Sequence, residues 1–188
     1  NIILGCSAGA DSTALAIIMS NVVSKYSLNI QLNYINHKLR DNKSILEEKK
    51  FVKQLAKRLN FAYSYFDISK SEFDSLHDSS LENTARILRY QKLSINAQKF
   101  NSNIILLGHT ANDSAETILF NIIRGSGLKG IEGIRKITSK KINDNQFKIL
   151  RPLIDIKKDI TEKICTENFI NPIFDKSNDD YKFTRNKI

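Results

Sequence analysis

The sequence is poor in cysteine, proline and tryptophan: its 188 residues include two cysteines, two prolines and no tryptophan. Cys6 and Cys165 lie far apart and form no Cys-x-x-Cys pair, which disfavours a disulfide framework and a cysteine-rich zinc or iron–sulfur site. We interpret both as small buried hydrophobic residues in a reducing compartment. No apolar run is long enough to span a bilayer, and the first residues do not resemble a signal peptide.

Acidic residues are fewer than basic ones, with 20 Asp and Glu against 29 Lys and Arg, which gives a formal net charge of +9. Such an excess suits a polyanionic partner such as RNA. The chain is also rich in Ile, Lys and Asn, which an AT-rich genome would produce without any RNA partner, so the charge alone leaves both explanations open. The proportions of hydrophobic and charged residues, 41% and 26%, are typical of one globular domain.

Short apolar runs alternate with longer amphipathic stretches, a pattern typical of a doubly wound, mostly parallel α/β sheet with helices on both faces. The predicted strands are NIILGC, NIQLNYIN, FAYSYFDI and NIILLGH, and the predicted helices are 13–26, 45–59, 81–100 and 113–124. Further on, KITSKKINDNQFKILRPLI indicates a hairpin and 155–169 a last helix. In a strand order of 3-2-1-4, strands one and four would be neighbours and would share a ligand crevice.

The stretch SAGADS joins the first strand to the first helix and has the composition of a phosphate-binding loop. Gly9 lets a phosphate approach the backbone, Ser7 and Ser12 offer hydroxyl groups, and the first amides of the helix face the turn. An ordinary strand-to-helix turn with a Ser or Asp cap is the structural alternative. Asp11 places a negative charge where phosphates would sit, which indicates that a cation lies between them, either Mg²⁺ or a substrate amine.

A second polar stretch, GHTANDSAET, follows the fourth strand. Asp113 and Glu116 stand three residues apart at a helix start and therefore share a face, although acidic residues also favour a helix N-terminus for dipole reasons alone. If strands one and four are adjacent, both carboxylates face the crevice that holds SAGADS. We therefore expect three carboxylates to converge beside the phosphate loop.

Three further stretches carry candidate cations. Arg86 and Arg89 share one face of the helix ENTARILRY, where a solvated helix surface is the commoner explanation. The glycines and Lys129 of RGSGLKGIEGI suggest a mobile basic flap, and Arg185 of SNDDYKFTRN offers another cation near the C-terminus.

Taken together, these stretches carry a family resemblance. SAGADS is similar to the SGGxDS loop of the N-type ATP pyrophosphatases, or PP-loop superfamily. In this order, NHKLR, ENTARILRY, GHTANDSAET, RGSGLKGIEGI, RPL and SNDDYKFTRN resemble the tRNA(Ile)-lysidine synthetases. The resemblance implies a Rossmann-like fold of the adenine nucleotide alpha hydrolase type. It also implies one catalytic domain over residues 1–188, truncated before C-terminal tRNA-binding domains.

The implied reaction is the ATP-dependent attachment of free lysine to C2 of the wobble cytidine, C34, of tRNA(Ile) with a CAU anticodon. The wobble cytidine is adenylated first, and the products are lysidine, AMP and pyrophosphate. The implied partners are this tRNA, lysine, ATP and Mg²⁺, with no membrane. The implied compartment is the bacterial cytoplasm, with a plastid as the alternative, and the oligomeric state stays open.

The resemblance also assigns residues. The ATP-binding set is Ser7, Ala8, Gly9, Ala10, Asp11, Ser12 and His109, the metal-binding set is Asp11 and Asp113, and the catalytic set is Asp11, Asp113, Glu116, Arg89 and Arg185. Asp113 and Glu116 would hold the lysine or the metal. Two positions depart from the pattern: Ala8 replaces a glycine, and Asn112 replaces the first Asp of a pair and carries no charge.

Two alternatives remain at the level of sequence. A tRNA-thiolating enzyme of the same superfamily typically needs paired cysteines, which this chain lacks. A non-catalytic nucleotide- or RNA-binding module would be expected to lose Asp11 or Asp113, and both are present.

Overall fold

A computed structural model describes residues 1–36, 42–76, 81–127, 131–142 and 144–173. The strands are β1 (Ile2–Gly5), β2 (Ile30–Asn36), β3 (Ala62–Asp67), β4 (Ile104–Leu107), β5 (Ile137–Ile142) and β6 (Asn145–Leu150). The helices are α1 (Ala10–Tyr26), α2 (Asn42–Arg58), α3 (Lys70–Ser75), α4 (Leu81–Lys99), α5 (Ala111–Ile123) and α6 (Lys158–Glu167).

The strands form one sheet in the order β3-β2-β1-β4-β6-β5. The pairs from β3 through to β6 are parallel, and the hairpin strand β5 is antiparallel to β6. The sequence-based expectations of a mostly parallel sheet and of a late hairpin are therefore confirmed, and the strand order 3-2-1-4 that the sequence analysis assumed is the one observed.

Helices cover both faces of this sheet. Successive residues of a strand face opposite sides, and Ile2 and Leu4 of β1 pack in one buried cluster with residues of α1, α2 and α6. Ile3, between them, packs in a second cluster with Leu93 and Ala97 of α4 and with residues of the β5–β6 hairpin. Strands buried on both faces read as continuous apolar runs, as IILG and IILL do here.

Some boundaries differ from the predicted ones. Helix α1 begins at Ala10 rather than Thr13, because Gly9 is an extended N-cap and Ala8 turns the chain sharply before it. Helix α6 begins at Lys158 because Lys157 is its extended N-cap. Helix α3 was not predicted; its signal is the capping box between Ser69 and Glu72.

The carboxyl ends of β1 and β4 lie side by side, with Gly5 paired to Leu107. The loop after β1, residues 6–9, and the loop after β4, residues 108–110, therefore open onto the same crevice, which is where parallel sheets bind ligands. None of the helices within the described ranges is long and apolar enough to cross a membrane.

Candidate functional site

The loop after β1 is braced by its own hydroxyl groups. Ser12 Oγ accepts a hydrogen bond from Ser7 N at 3.2 Å and donates one to Gly9 O at 3.1 Å. Ser7 Oγ lies 3.3 Å from Ser12 Oγ. Ala8 adopts a left-handed conformation with φ 68° and is fully buried, so the position that normally favours glycine accepts a Cβ here. The Ser12 hydroxyl thus fixes the shape of the loop.

The start of α1 is suited to an anion. The first amides of a helix have no acceptor within the helix, and the N-cap Gly9 supplies no side-chain acceptor for them. These amides and the helix dipole together favour a bound phosphate. SAGADS therefore has the local geometry that a phosphate loop needs.

Gly108, directly after β4, lies against the first turn of α1 and so allows the loops after β1 and β4 to approach each other closely. A Cβ at this position would lie 2.9 Å from Ser12 N and Ser12 Cα and 3.0 Å from Asp11 C. All three atoms belong to the backbone of the first turn of α1, which cannot give way as a flexible side chain would. Only glycine permits this close approach of β4 to the phosphate loop.

Asp11 is half-buried in the first turn of α1, and its Oδ1 accepts a hydrogen bond from Thr161 Oγ1 at 2.5 Å. Burial raises the pKa of the Asp11 carboxyl above its ordinary value, and Asp113 adds to the rise by charge repulsion. The hydrogen bond from Thr161 opposes the rise and so stabilises the charged form. A desolvated carboxylate with a like charge nearby is ready to accept a cation.

Asp113 is one of those neighbouring charges, and it also closes the start of α5. Its Oδ2 accepts hydrogen bonds from Thr110 N at 2.8 Å and from Thr110 Oγ1 at 2.9 Å. Glu116 lies one turn further along α5 and is exposed. The crevice thus brings Asp11 and Asp113 together, and Asp113 serves as a helix cap as well.

The prediction of three converging carboxylates is not met in full. Across residues 1–36, 42–76, 81–127, 131–142 and 144–173, no group of three or more His, Cys, Asp or Glu side chains could hold a metal ion. Two carboxylates beside a phosphate loop still fit Mg²⁺, which binds proteins through one or two carboxylates and takes its other ligands from water and substrate phosphates.

Asn112, the departure from the expected Asp pair, has a structural partner. Its Oδ1 accepts a hydrogen bond from Lys158 N at 3.0 Å, and the neighbouring Ala111 N donates to Ile156 O at 2.9 Å. These bonds join the start of α5 to the start of α6. An uncharged amide oxygen suffices for this role.

Arg89 lies half-buried on α4, and no acceptor is found for its buried Nε among the described residues. Burial lowers the pKa of its guanidinium, and the charges of Arg86 and Arg151 act in the same direction, whereas Asp113 opposes them. A buried cation without a hydrogen-bond acceptor is costly, so a bound anion or carbonyl oxygen would satisfy this group. The charge of Asp113 acts on Arg89, so the two side chains lie on the same side of the sheet edge.

The remaining predicted residues are placed only in part. His109 lies half-buried between Gly108 and Thr110, at the mouth of the crevice. Arg185 and Lys129 lie outside the described residues, so their predicted roles stay predictions.

The end of the glycine-rich stretch is anchored rather than free. Gly133 has φ 63°, and a Cβ there would lie 2.6 Å from Ser114 Oγ and 3.0 Å from Ile118 Cδ1 of α5. Ile134 N also donates a hydrogen bond to Ser114 Oγ at 3.3 Å. Gly133 is therefore required for close packing against α5, not for a hinge.

Sequence reasoning assigned no role to three residues that shape this region: Gly108, Thr161 and Arg151. The buried Arg151 donates hydrogen bonds to Arg135 O at 2.8 Å, to Thr138 Oγ1 at 3.0 Å and to Tyr90 OH at 3.3 Å. It thereby ties the β5–β6 hairpin to α4. The stretch RPL contains Arg151 but gives no local sign of these long-range contacts.

Comparison with known proteins places the whole chain in one group. The family model described as a PP-loop domain matches residues 1–188. The tRNA(Ile)-lysidine synthase of Clostridioides difficile (strain 630) is 33% identical over 187 residues, and that of Thermosipho africanus (strain TCF52B) is 35% identical over 187 residues. These alignments cover 100% of this chain but 39% and 42% of the two relatives. The chain therefore spans about two fifths of the length of the curated relatives it matches.

Solved structures share the fold at low sequence identity. The U34-tRNA thiolase NcsA from Methanococcus maripaludis, solved with its [4Fe-4S] cluster, superposes with a TM-score of 0.73 at 16% identity, over 99% of this chain and 62% of that one. The NH3-dependent NAD synthetase from Campylobacter jejuni superposes with a TM-score of 0.55 at 15% identity, over 98% and 68%. At these identities the likeness concerns the fold alone.

Proposed function

The chain belongs to the PP-loop domain family, whose model spans all of its residues, and on this premise we propose that it is the catalytic part of a tRNA(Ile)-lysidine synthase. The observation that carries the proposal is the close approach of the loop after β4 to the first turn of α1, which places the helix starts that bear Asp11 and Asp113 at one crevice with the amides of α1. The names of the curated relatives, tRNA(Ile)-lysidine synthases, support tRNA(Ile) as the substrate. Free lysine is proposed as the second substrate because the lysidine product requires it.

The proposed reaction has two steps. The C2 oxygen of cytidine 34 attacks the α-phosphorus of ATP, and pyrophosphate leaves. The side-chain amine of free lysine then attacks C2, the bond between C2 and oxygen breaks, and AMP leaves with that oxygen while the amine gives up a proton. The products are lysidine in the tRNA, AMP and pyrophosphate.

The described residues divide this work between binding and charge control. The amides at the start of α1 hold phosphate oxygens, and Gly9 lets them approach. Asp11 and Asp113 are the residues that would hold Mg²⁺, which neutralises the negative charge of the phosphates when it is bound. Arg89, with its buried and unsatisfied Nε, would stabilise the charge that develops on the substrate.

Glu116 is the best candidate for selecting lysine. It is exposed, and it lies one helical turn beyond Asp113 on the side of the crevice formed by α5. A carboxylate that faces an ammonium group forms a charge-assisted hydrogen bond, and losing one partner costs about 1.5–3 kcal/mol once bound substrate has excluded water from the pair. The proposed reaction needs tRNA and free lysine, and both are present in the cytoplasm. We therefore propose that the protein acts in the cytoplasm.

A thiolation reaction is less well supported. The chain has only two cysteines, and both are buried. Burial raises the pKa of the Cys165 thiol to about 11 and also raises that of Cys6, so neither thiol is a ready nucleophile at neutral pH.

Nucleoside mass spectrometry tests the proposal directly. Unmodified tRNA(Ile) with a CAU anticodon is incubated with the full-length protein, ATP, Mg²⁺ and lysine, and its nucleosides are then separated. Lysidine should appear only when ATP and lysine are both present, together with one AMP for each lysidine. A tRNA with a different wobble base serves as the control substrate. The absence of any modified cytidine from the complete incubation would refute the proposal.

Substitution of Glu116 separates lysine binding from metal binding. For Glu116→Gln we expect the lysine concentration at half-maximal rate to rise by roughly tenfold to hundredfold, while the magnesium titration stays within about twofold. Both titrations are run with the other components saturating. If only the magnesium curve moves, Glu116 belongs to the metal; if neither moves, the amine is held elsewhere.

A further inference from the structure

Helix α6 contributes a buried hydroxyl group to the crevice. Thr161 has no exposed surface, and its Oγ1 lies 2.5 Å from Asp11 Oδ1, although the two residues are 150 positions apart in the chain. The same Oγ1 lies 2.7 Å from Lys158 O, within its own helix. Cys165 Sγ, one turn further along α6, donates to Ala10 O at 3.5 Å. These two contacts hold helix α6 against the start of α1, and one of them is made to the carboxylate of Asp11.

A threonine hydroxyl has one proton to donate and here has two acceptors within reach. When the proton goes to Asp11, it fixes one carboxylate oxygen and stops the group from rotating. Lys158 O is a second acceptor within the same helix, so the hydroxyl is not left without a partner when the Asp11 carboxylate is removed. Because Thr161 is fully buried, water cannot replace it at either position.

We propose that Thr161 is the positioning residue of Asp11: its hydroxyl holds Oδ1, and Oδ2 is thereby presented to the cation and the phosphates in the crevice. The inference rests on the proposed function, in which Asp11 acts at the reacting phosphate. It assigns α6 a role in the site in addition to its packing role. The acidic neighbours Asp113 and Glu162 and the cation Lys158 surround the same carboxylate, so a fixed orientation decides which of them it faces.

Substitution of Thr161 by Val tests this role because Val has almost the same shape and lacks the hydroxyl. In the full-length protein, we expect Thr161→Val to lower the rate of AMP formation at saturating ATP by roughly tenfold to hundredfold, the range for losing a hydrogen bond to a charged group. The ATP concentration at half-maximal rate should change by less than about threefold, because the helix amides and not Asp11 hold the phosphates.

Two further variants separate positioning from packing. Thr161→Ser keeps the hydroxyl and should restore most of the rate. Thr166→Val, on the exposed side of α6, removes a hydroxyl that also donates to its own helix, to Glu162 O at 3.0 Å, and should leave the rate unchanged. The inference is overturned if Thr161→Val keeps its full rate, if Thr161→Ser is equally impaired, or if Thr166→Val has the same effect.

Melting temperatures test the link between Thr161 and Asp11 without measuring activity, so they remain informative if the proposed function is wrong. Melting temperatures of Thr161→Val, Asp11→Ala and the double variant form a double-mutant cycle, in which Ala is used at position 11 because Asn would keep the Oδ1 acceptor. We expect the shifts of the two single variants not to add, because each substitution removes the same hydrogen bond. If the unsubstituted protein forms no lysidine, the proposed function fails, and additive melting shifts would then overturn the link between Thr161 and Asp11 as well.

Discussion

Asp11 places a negative charge beside a loop that is suited to phosphates, and its surroundings disfavour the ionised form of its carboxyl group. Burial and Asp113 both raise its pKa, whereas Thr161 and Lys158 lower it. Because ionised Asp11 is partly buried beside a like charge, it contributes little to the stability of the fold, and a bound cation would compensate its charge. We therefore expect its replacement to affect chemistry more than folding.

For Asp11→Asn we predict a loss of AMP formation of roughly tenfold to hundredfold, with ATP binding reduced by less than about tenfold. The physical reason is that the amides of α1 bind phosphates without the carboxylate, whereas a single charge-assisted contact contributes about 1.5–3 kcal/mol at the reacting centre. Calorimetric titration with ATP and a pyrophosphate-release assay measure the two effects. Near-normal AMP formation in the variant would contradict this role for Asp11.

Residues near Asp11 show what a sequence can reveal about a site. The SAGADS pattern was enough to predict a phosphate loop and to single out Asp11, because the loop is local in the chain. The buried left-handed conformation of Ala8 was not predictable, since its Cβ is accommodated by packing against the core cluster. Thr161 was missed for the same reason: a lone threonine in a helix carries no sign of a partner 150 residues away.

Among the secondary-structure elements, those whose sequence pattern is strong were predicted well. The runs IILG and IILL became β1 and β4 at the centre of the sheet because both faces are buried. Helix α3 was missed because its six residues are too few to show a period and none of them is buried. The docking of α6 on α1 and α5 depends on contacts between distant segments, which periodicity cannot show.

The contact between β4 and α1 leads to a prediction at Gly108. For Gly108→Ala we expect a loss of about 1–3 kcal/mol in the free energy of unfolding, the usual cost of overpacking. We also expect weaker ATP binding, because the new Cβ would push the first turn of α1 out of place. Denaturant titration measures the first effect and calorimetry the second.

Gly9→Ala is the matched control for Gly108→Ala. At Gly9 a Cβ would meet only Ser7 Oγ, at 3.6 Å, and the backbone is extended with φ −75°. We expect its unfolding free energy to change by less than about 1 kcal/mol. Equal stability losses in the two variants would contradict the view that Gly108 alone is set by close backbone approach.

The short helix α3 is linked to α4 by an ion pair, which makes its contribution to stability depend on pH. Glu72 Oε1 lies 2.5 Å from Lys92 Nζ, and Glu72 Oε2 accepts from Ser69 N at 2.8 Å. The hydrogen bond from Lys92, with that from Ser69, lowers the pKa of Glu72 from 4.5 to about 2. A lowered pKa in the folded state means that this stabilisation is present above pH 4.5 and is lost as pH falls toward about 2.

We therefore predict that Glu72→Gln lowers the melting temperature at pH 7 and that the difference from the unsubstituted chain shrinks between pH 4.5 and about 2. The effect should be modest because the Glu72 side chain is 39% exposed. Glu47→Gln, on the exposed surface of α2, is the matched control and should show a smaller difference at pH 7. A Glu72 difference that stays constant down to pH 2 would show that packing and not charge links α3 to α4.

At the scale of the whole molecule, the fold was predictable from the pattern of strands and helices, whereas the partner was predicted only from the family resemblance. Strand–helix alternation indicates a doubly wound sheet whatever the sheet binds, whereas the strand order 3-2-1-4 was only assumed from the sequence and is established by the structure. The formal charge of +9 fits both an RNA partner and a lysine-rich composition, and a charge count carries no information about where phosphates would lie. Only the stretches that resemble the family favour tRNA, since the family match over residues 1–188 shows a PP-loop domain and carries no information about the partner.

Salt dependence of tRNA binding separates these explanations of the charge. Each phosphate that a lysine or arginine neutralises releases counterions, so affinity falls with salt at a slope of about 0.7–0.9 per contact on a double logarithmic plot. We predict weak tRNA binding by this chain, with a loss of roughly a hundredfold between about 50 and about 200 mM salt if it contacts ~4 phosphates. Fluorescence anisotropy with labelled tRNA measures the slope, and ATP binding at the same salt concentrations shows whether the site itself is intact. A flat slope would mean that the excess charge reflects composition, and tight binding that ignores salt would contradict an electrostatic contact with the tRNA backbone.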